Sequence, residues 1–221
     1  MNILITAATE VEIREIKEKT KLLQNHSIRF CATGIGCTLT AYMLAKKLQS
    51  AKFDLILNVG IAGSFGKDTP IGAVVVVETE VFGNLGITYP HKFSTLFDEN
   101  FLSKNEYPFT NGKLHCKYLN SFNLKNFKPA CGLTADAASG EKNQIEKRKT
   151  LFNADIETME GAAFFYVCLS ENVPFLEIRA VSNHVEPRNK SKWNIPLALD
   201  NLSQAIFDFL NNLQLQQIKN N

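Results

Sequence analysis

The hydrophobic positions of this chain fall into short continuous runs that alternate with longer segments of helical spacing. Residues 2–8, 27–32 and 53–59 are brief apolar runs bounded by polar residues or glycines, which is typical of central strands. Residues 72–82 contain a β-branched run without alternation and predict a strand buried on both faces. A further strand is predicted at 175–181, just before a polar loop.

Helical spacing occurs between these runs. A helix pattern begins at Thr9, and residues 38–49, 161–169 and 199–213 have the spacing of helices that pack on a sheet. The alternation of strands and helices predicts an α/β fold, a three-layer sandwich with a central mixed sheet flanked by helices. Residues 83–130 have no clean period, and we expect irregular strands, a lid or an oligomer contact there.

Composition narrows the class of protein. The 221 residues suffice for one continuous core, so we expect one domain over residues 1–221, and the net charge of +2 argues against a strongly electrostatic nucleic-acid binder. No stretch of 18 apolar residues is present, and the first residues lack the basic flank of a signal peptide. We therefore expect a cytoplasmic protein with no membrane span. The five cysteines form no C-x-x-C pair and are expected to be reduced core thiols.

Two glycine-containing segments each follow a predicted strand. TGIGCT at 33–38 opens a helix, and its backbone N–H groups suit an anion or a sugar hydroxyl, although a plain strand-to-helix turn explains it equally well. Leu39 stands where a dinucleotide fingerprint needs its third glycine, which argues against NAD binding. NVGIAGS at 58–64 contains small residues, among them Gly63, that either let a ligand lie against the backbone or allow close packing.

Two acidic segments are candidates for catalysis. Thr9 and Glu12 have the spacing of a capping box, so Glu12 is either a helix-capping residue or a general base that faces a crevice. In ETMEGA at 157–162, Glu160 precedes small residues, and its carboxylate can accept hydrogen bonds from two vicinal hydroxyls, as ribose recognition requires. The alternative for this segment is an acid that interacts with the helix dipole. No histidine or cysteine has metal-ligand spacing, so we expect no metal.

The order of these motifs carries a family resemblance. AATEVE, TGIG, NVGIAGS, TADAASG, ETMEGAA and RAVSN occur in the order and spacing of the nucleoside phosphorylase/nucleosidase superfamily, which the chain resembles over nearly its whole length. It looks closest to the nucleosidases that hydrolyse methylthioadenosine and S-adenosylhomocysteine, and ETMEGAAFFYVC and SNHVEPRN resemble the related futalosine hydrolases of the alternative menaquinone pathway. The resemblance implies N-glycosidic hydrolysis of a purine nucleoside without a metal or organic cofactor.

At the sugar, the resemblance implies roles for four positions. Glu12 would activate the attacking water, Met159 would pack on the ribose and Glu160 would bind it. Thr33 would lie near the sugar. These roles favour the catalytic interpretation of Glu12, although one side chain can both cap a helix and act as a base.

At the base, the resemblance places Ala138 and Ser139 beside the purine and Asn183 facing it. The adenosine nucleosidases have an aspartate where Asn183 stands. Adenine offers an acceptor at N7 and a donor at its 6-amino group, whereas hypoxanthine, like guanine, offers acceptors at N7 and O6. An amide NH₂ donates to either acceptor without a change of charge. Asn183 therefore favours hypoxanthine as the leaving group, which is the base that futalosine carries.

Three alternatives remain open. A phosphorylase acting on inosine or guanosine would need arginines for phosphate, and Arg14 and Arg29 are the nearest candidates. An adenosine-type nucleosidase would have to tolerate the amide. A non-catalytic purine-binding protein would have no use for both Glu12 and Glu160. The proton donor to the leaving base, Glu186 or a water, is also open.

The resemblance implies at least a dimer, and we expect a homodimer. The unpatterned middle segment contains aromatic side chains that can supply apolar contact area. They are Phe93, Phe97, Phe101, Tyr107 and Phe109.

Overall fold

The structure, a computed structural model, describes residues 1–213. Ten strands and five α-helices are found within this range. In chain order they are β1 (Asn2–Ala7), α1 (Glu10–Thr20), β2 (Ser27–Ala32), α2 (Cys37–Ser50), β3 (Leu55–Ser64), β4 (Val74–Phe82), β5 (Gly86–Thr88), β6 (Phe93–Thr95), β7 (Leu114–His115), β8 (Lys128–Thr134), α3 (Lys142–Phe152), β9 (Ile156–Thr158), α4 (Gly161–Ser170), β10 (Phe175–His184) and α5 (Ile195–Asn211).

The central sheet is mixed and partly closed on itself. Its strands follow the order β10-β4-β8-β9-β3-β1-β2, and β10 also pairs with β3. Strands β1, β3 and β10 run parallel to one another, whereas β4 is antiparallel to β10 and β9 is antiparallel to β3. The predicted central mixed sheet with flanking helices is therefore confirmed. The pairing of β10 with β3 adds a closed ring of five strands, β3-β10-β4-β8-β9, that no local pattern indicates.

The helices pack in two pairs against this sheet. Helix α1 contacts α5, and both contact β3, while α2 contacts α4, which also lies against β4 and β8. Helix α4 is apolar all round and nearly every one of its residues is buried, as expected for a helix enclosed between other elements. None of the helices within residues 1–213 has the length and apolarity needed to cross a membrane.

Most predicted elements are present, and their ends differ for identifiable reasons. The strand predicted at 27–32 has those bounds, but it lies at the edge of the sheet and is mostly not buried, so its prediction as a central strand was wrong. The strand predicted at 53–59 continues to Ser64. Helix α5 begins at Ile195, earlier than predicted, because the Asn194 side chain accepts a hydrogen bond from Leu197 N–H and Pro196 suits the first turn. Helix α3 was not predicted, since it is highly charged and buries only Ile145 and Arg148.

The unpatterned middle segment contains short, irregular strands. Strands β5 and β6 form a small separate sheet, and β7 pairs with β4 at the edge of the main one. The five aromatic residues of this segment, which can supply apolar contact area between subunits, differ in their exposure. Phe109 is buried and stacks on Phe97 at 5.1 Å and on Tyr166 at 5.9 Å, whereas Phe101 and Tyr107 are exposed. The five cysteines are free thiols, as expected.

Three charged side chains are fully buried within the ring of strands. Arg179 Nε donates to Glu177 Oε1 at 2.8 Å, and the Thr134 hydroxyl donates to Glu80 Oε2 at 2.8 Å. A Cβ at Gly161 would overlap Glu80 Oε1 and lie 2.7 Å from Glu177 Oε1, so the two carboxyl groups approach each other at the start of α4. Glycine is needed there because the carboxyl groups occupy the space of a side chain.

Glu80 and Glu177 differ in the groups that oppose the rise in pKa caused by burial. Burial raises the pKa of Glu80 well above its ordinary value, and the nearby charge of Glu177 raises it further. Burial also raises the pKa of Glu177, but Arg179 opposes this through its charge and its hydrogen bond. We therefore expect Glu80 to hold a proton while Glu177 stays ionised beside Arg179.

Glu80→Gln and Glu177→Gln should consequently differ in stability. Glu80→Gln replaces one neutral group by another and should change the free energy of unfolding at pH 7 by less than about 1 kcal/mol. Glu177→Gln leaves Arg179 without its bonded counter-ion and should cost about 3–5 kcal/mol. Urea unfolding of both variants measures the difference.

The pH dependence supplies a second measurement on the same variants. Since the folded-state pKa of Glu80 is raised, the stability of the wild-type protein should fall as pH rises from the ordinary glutamate pKa through the raised one. Glu80→Gln should remove that part of the slope. Equal destabilisation by both substitutions at pH 7, with an unchanged slope, would mean that Glu80 is ionised in the fold.

Candidate active site

A cavity of about 400 Å³ lies where the carboxyl ends of β1, β3 and β10 meet the β9–α4 junction. Ligands commonly bind at the carboxyl ends of parallel strands in α/β sheets. The structure brings seven of the eight predicted site residues to this cavity, and these are Glu12, Gly63, Ala138, Ser139, Met159, Glu160 and Asn183. Thr33 is not among the lining residues. It is buried, and its hydroxyl lies 3.2 Å from the carbonyl oxygens of Ala7 and Gly34.

Glu12 both caps a helix and faces the cavity. Its Oε2 accepts hydrogen bonds from the Thr9 N–H at 3.0 Å and the Thr9 hydroxyl at 2.9 Å, which is the capping-box contact. Its Oε1 reaches across to β3 and accepts from the Ile61 N–H at 3.1 Å. A Cβ at Gly60 would lie 2.7 Å from this oxygen. The cap therefore fixes the rotamer that points the carboxylate at the cavity, and the two interpretations of Glu12 are compatible.

Glu160 is held by the TGIG segment on one side and by a buried arginine on the other. Its Oε1 accepts from the Gly36 N–H at 3.1 Å, and Gly36 adopts a φ of +96° that favours glycine. Its Oε2 lies 3.8 Å from Arg179 Nη2. Burial raises the pKa of Glu160, while the positive charge of Arg179 and the Gly36 hydrogen bond oppose this rise. The TGIG turn thus serves to orient Glu160.

Arg179 is the site residue that the sequence did not reveal. It is fully buried in β10 beneath Glu160, and within residues 1–213 its Nη1 and Nη2 have no hydrogen-bond acceptor. Nη1 occupies the space that a Cβ at Gly60 would need, next to Glu12. The available signal was a pair of charged residues, Glu177 and Arg179, inside the apolar run that predicts the strand. The Arg179 guanidinium lies close to the carboxylates of Glu12 and Glu160.

Asn183 presents an amide donor over Gly63. Its Oδ1 accepts from the Ser182 hydroxyl at 2.8 Å, and its Nδ2 donates to the His184 carbonyl oxygen at 2.9 Å. These two contacts set the orientation of the amide, and one N–H of Nδ2 remains for a ligand. A Cβ at Gly63 would lie 3.2 Å from Nδ2, so a larger residue would crowd the amide.

The rest of the lining is an apolar wall with a few polar groups. The polar members include His184, Glu157 and Glu186, and the Arg188 guanidinium lies 5.5 Å from the centre of the Trp193 ring. The apolar members that the sequence did not indicate include Val11 of α1, Ile35 of the TGIG turn, Trp193, and Ile195 and Leu199 of α5. Sequence reasoning left these out because they belong to segments that meet only in the fold. Residues 1–213 contain no group of three or more His, Cys, Asp or Glu side chains placed to hold a metal ion.

Comparison with known proteins gives concordant results. The sequence model of the phosphorylase superfamily matches residues 4–211. Futalosine hydrolase from Thermus thermophilus is 32% identical over 180 residues, which are 80% of this chain and 78% of that protein. Futalosine hydrolase from Streptomyces coelicolor is 28% identical over 180 residues, or 79% of this chain and 75% of that one. The crystal structure of S-adenosylhomocysteine nucleosidase from Streptococcus pyogenes in complex with 5-methylthiotubericidin has a TM-score of 0.80 at 21% identity and covers 97% of this chain and 98% of that one.

Proposed function

The chain belongs to the phosphorylase superfamily, and we propose that it hydrolyses the N-glycosidic bond of futalosine, releasing hypoxanthine and dehypoxanthine futalosine. This reaction would make it an enzyme of menaquinone biosynthesis that works as one domain in the cytoplasm. Two relatives named futalosine hydrolase, at 32% and 28% identity, support the proposal. The observation that carries it is the amide of Asn183, fixed over Gly63 with an N–H directed at the cavity.

Each step of the reaction has a residue in a suitable place. As the C–N bond breaks, its electrons go to the purine and the ribose becomes an oxocarbenium-like cation. Glu160 accepts hydrogen bonds from the ribose hydroxyls and orients the sugar, while Met159 packs against it. Glu12 takes a proton from the water whose oxygen forms the new bond to the anomeric carbon. Arg179 lies beneath Glu160 and favours its ionised, accepting form.

Asn183 suits a 6-oxopurine leaving group. The Ser182 hydroxyl already donates to the amide oxygen of Asn183, and one N–H of Nδ2 is left for a ligand, so the amide can meet the base as a donor. N7 and O6 of hypoxanthine are both acceptors, so this donor stabilises the base as negative charge develops on it. An ionised carboxylate at the same place would repel O6, because both groups present lone pairs and neither has a hydrogen to donate. The second nucleosidase candidate, which acts on adenine nucleosides, is less well matched by this amide.

Hydrolysis is better supported than phosphorolysis. A phosphate nucleophile would require cationic side chains at the sugar end of the cavity. The two candidates from the sequence, Arg14 and Arg29, are exposed and do not line the cavity, and Arg29 lies 6.0 Å from the ring centre of Phe53. We therefore propose water, activated by Glu12, as the nucleophile.

We further propose that the protein is a homodimer. The exposed face of α2 and the turn before it carry three large apolar side chains, Ile35, Leu39 and Tyr42, which are 54%, 51% and 63% exposed. Ile35 also lines the cavity, so a second copy on this face would cover part of its mouth. This patch is the main contact surface in the proposal. Phe109 of the middle segment lies in the core, whereas Phe101 and Tyr107 are exposed and can add to the contact area.

Base release tests the proposed reaction. The protein is incubated with futalosine, inosine and methylthioadenosine, with and without phosphate, and the released base is identified by chromatography. We expect rapid release of hypoxanthine from futalosine at a rate that phosphate does not change. Dependence on phosphate would instead identify a phosphorylase, and preferential release of adenine from methylthioadenosine would identify the adenosine-type nucleosidase.

Glu12→Gln tests the role of the water-activating base. The amide keeps the shape and, with its oxygen toward Thr9, the capping contact, but it loses the hydrogen bond from the Ile61 N–H and cannot accept a proton. We expect kcat to fall about 10²–10⁴-fold, while the loss of one hydrogen bond should lower the melting temperature by only about 2–4 °C. Glu10→Gln is the matched control, since Glu10 lies two residues earlier and pairs with Lys17 at the exposed surface. If Glu12→Gln kept most of its kcat, Glu12 would be only a helix-capping residue.

Tyr42→Glu tests the dimer. Light scattering of the wild-type protein should give twice the chain mass of 24.7 kDa, and a charge in the middle of the patch should give the single-chain mass. Leu22→Glu places the same charge at a more exposed apolar residue, 77% exposed, outside the patch, and should leave the dimer intact. A wild-type protein of single-chain mass would contradict the proposal.

A further inference from the structure

Glu157 and Asn183 stand in one row across the sheet with a glycine between them. Gly63 of β3 pairs with Asn183 of β10 on one side and with Glu157 of β9 on the other. Directly paired residues project to the same face of a sheet, and all three line the cavity. Two strand spacings separate the outer members by about 10 Å. Because Gly63 has no side chain, the row forms a slot with an amide at one wall and a carboxylate at the other.

The carboxylate of Glu157 is fixed and charge-balanced. Arg148 Nη1 donates to its Oε1 at 2.9 Å, and the Ser139 N–H donates to its Oε2 at 2.8 Å. The Ser139 hydroxyl also donates to Oε1. Arg148 in turn contacts the Ala137 carbonyl oxygen at 3.0 Å, which ties α3 to the loop beside the cavity. Glu157 and Arg148 are both largely buried, at 7% and 8% exposure, so this ion pair is part of the architecture.

The contacts of Glu157 leave capacity for a ligand. A carboxylate oxygen accepts two hydrogen bonds, and within residues 1–213 Oε2 accepts only that of the Ser139 N–H. Arg148 and Ser139 are the donors in every hydrogen bond that this carboxylate makes within residues 1–213, so it acts there as an acceptor. A flat heterocycle in the slot would thus meet a donor at one edge and an acceptor at the other.

We propose that Glu157 is a specificity-determining residue that accepts the N1–H of a 6-oxopurine, opposite the donation from Asn183 to O6 or N7. This inference rests on the proposed function and adds a second base contact to it. Hypoxanthine has a hydrogen on N1, whereas adenine has a lone pair there. An ionised carboxylate attracts the first and repels the second. Arg148 and Ser139 are positioning residues that hold Glu157 in place.

The test compares bases that differ at N1. Hypoxanthine and 1-methylhypoxanthine are measured as inhibitors of futalosine cleavage by the wild-type protein and by Glu157→Gln. The wild-type protein should bind hypoxanthine about 10- to 100-fold more tightly than the methylated base, as expected for a hydrogen bond to a charged group, and the variant should lose most of that preference. The ratio of kcat/KM for futalosine over the adenine nucleoside with the same sugar should fall by a similar factor, because a glutamine amide can donate to adenine N1.

These ratios separate base recognition from a merely structural role. If Glu157 only holds the loop at Ser139 in place, Glu157→Gln will weaken the binding of both bases equally, and both ratios will stay at their wild-type values. That result would overturn the inference. Glu141→Gln, at the exposed start of α3, removes a nearby charge outside the cavity and should leave both ratios unchanged. Should Glu157→Gln fail to fold, Glu157→Asp is the second variant. It keeps the carboxylate but moves it away from the base, and it should weaken the binding of hypoxanthine more than that of 1-methylhypoxanthine.

Failure of the proposed function would be visible elsewhere. It would appear as an absence of hypoxanthine release from futalosine by the wild-type protein. Failure of the present inference would appear only as unchanged base ratios in an active wild-type and variant pair.

Discussion

The guanidinium of Arg179 lies under the cavity floor with one carboxylate bonded to it and two more nearby, and much of the architecture accommodates this single buried cation. Glu177 accepts its Nε hydrogen bond, while Glu160 lies 3.8 Å from Nη2. The surrounding negative charges raise the pKa of Arg179 despite its burial, so it stays charged. A buried charge is costly unless it is paired and hydrogen-bonded. The protein offsets that cost by placing carboxylates around it, and Glu160 is at the same time directed into the cavity.

The closed ring of strands provides the space for these charges. Gly60, Gly132 and Gly161 each stand where a Cβ would collide with Arg179, Glu80 or Glu177. Backbone without side chains therefore surrounds a polar interior, and the ring can close only with glycine at these points. Gly63 has a similar role, because the absence of a side chain there leaves room between Asn183 and Glu157. The glycines around the buried charges and the glycine in the cavity thus have the same role, which is to leave space for a neighbouring polar side chain.

The sequence predicted the helices, the strands and the ends of the strands better than it predicted the closure of five strands into a ring. Continuous apolar runs define β1 and β3 because both strands are buried, whereas β2 is an edge strand with only Cys31 buried. The polar residues that follow β1 and β3 mark where the cavity lies. The pairing of β10 with β3 depends on contacts far apart along the chain, so local patterns carry no trace of it. Arg179 was overlooked because its sequence position, next to Glu177 in a predicted strand, does not indicate that its guanidinium lies near the cavity. Glu157 was overlooked because the ETMEGA segment was interpreted through Glu160. Thr33 illustrates the opposite case, since its family-based role at the sugar is not matched by a place on the cavity wall.

In the proposed reaction, the charges of the cavity are distributed as the reaction requires. Positive charge develops on the sugar, and the free carboxylates Glu12 and Glu160 lie at that end, where they stabilise it. Negative charge develops on the departing base, and a lone carboxylate there would oppose its departure. Asn183 avoids this by donating a hydrogen bond while neutral. Glu157 avoids it differently, because Arg148 bonds directly to its carboxylate and balances the charge. The base end can therefore contain an acceptor for N1–H without a net negative charge, which reconciles recognition of the 6-oxopurine with its release.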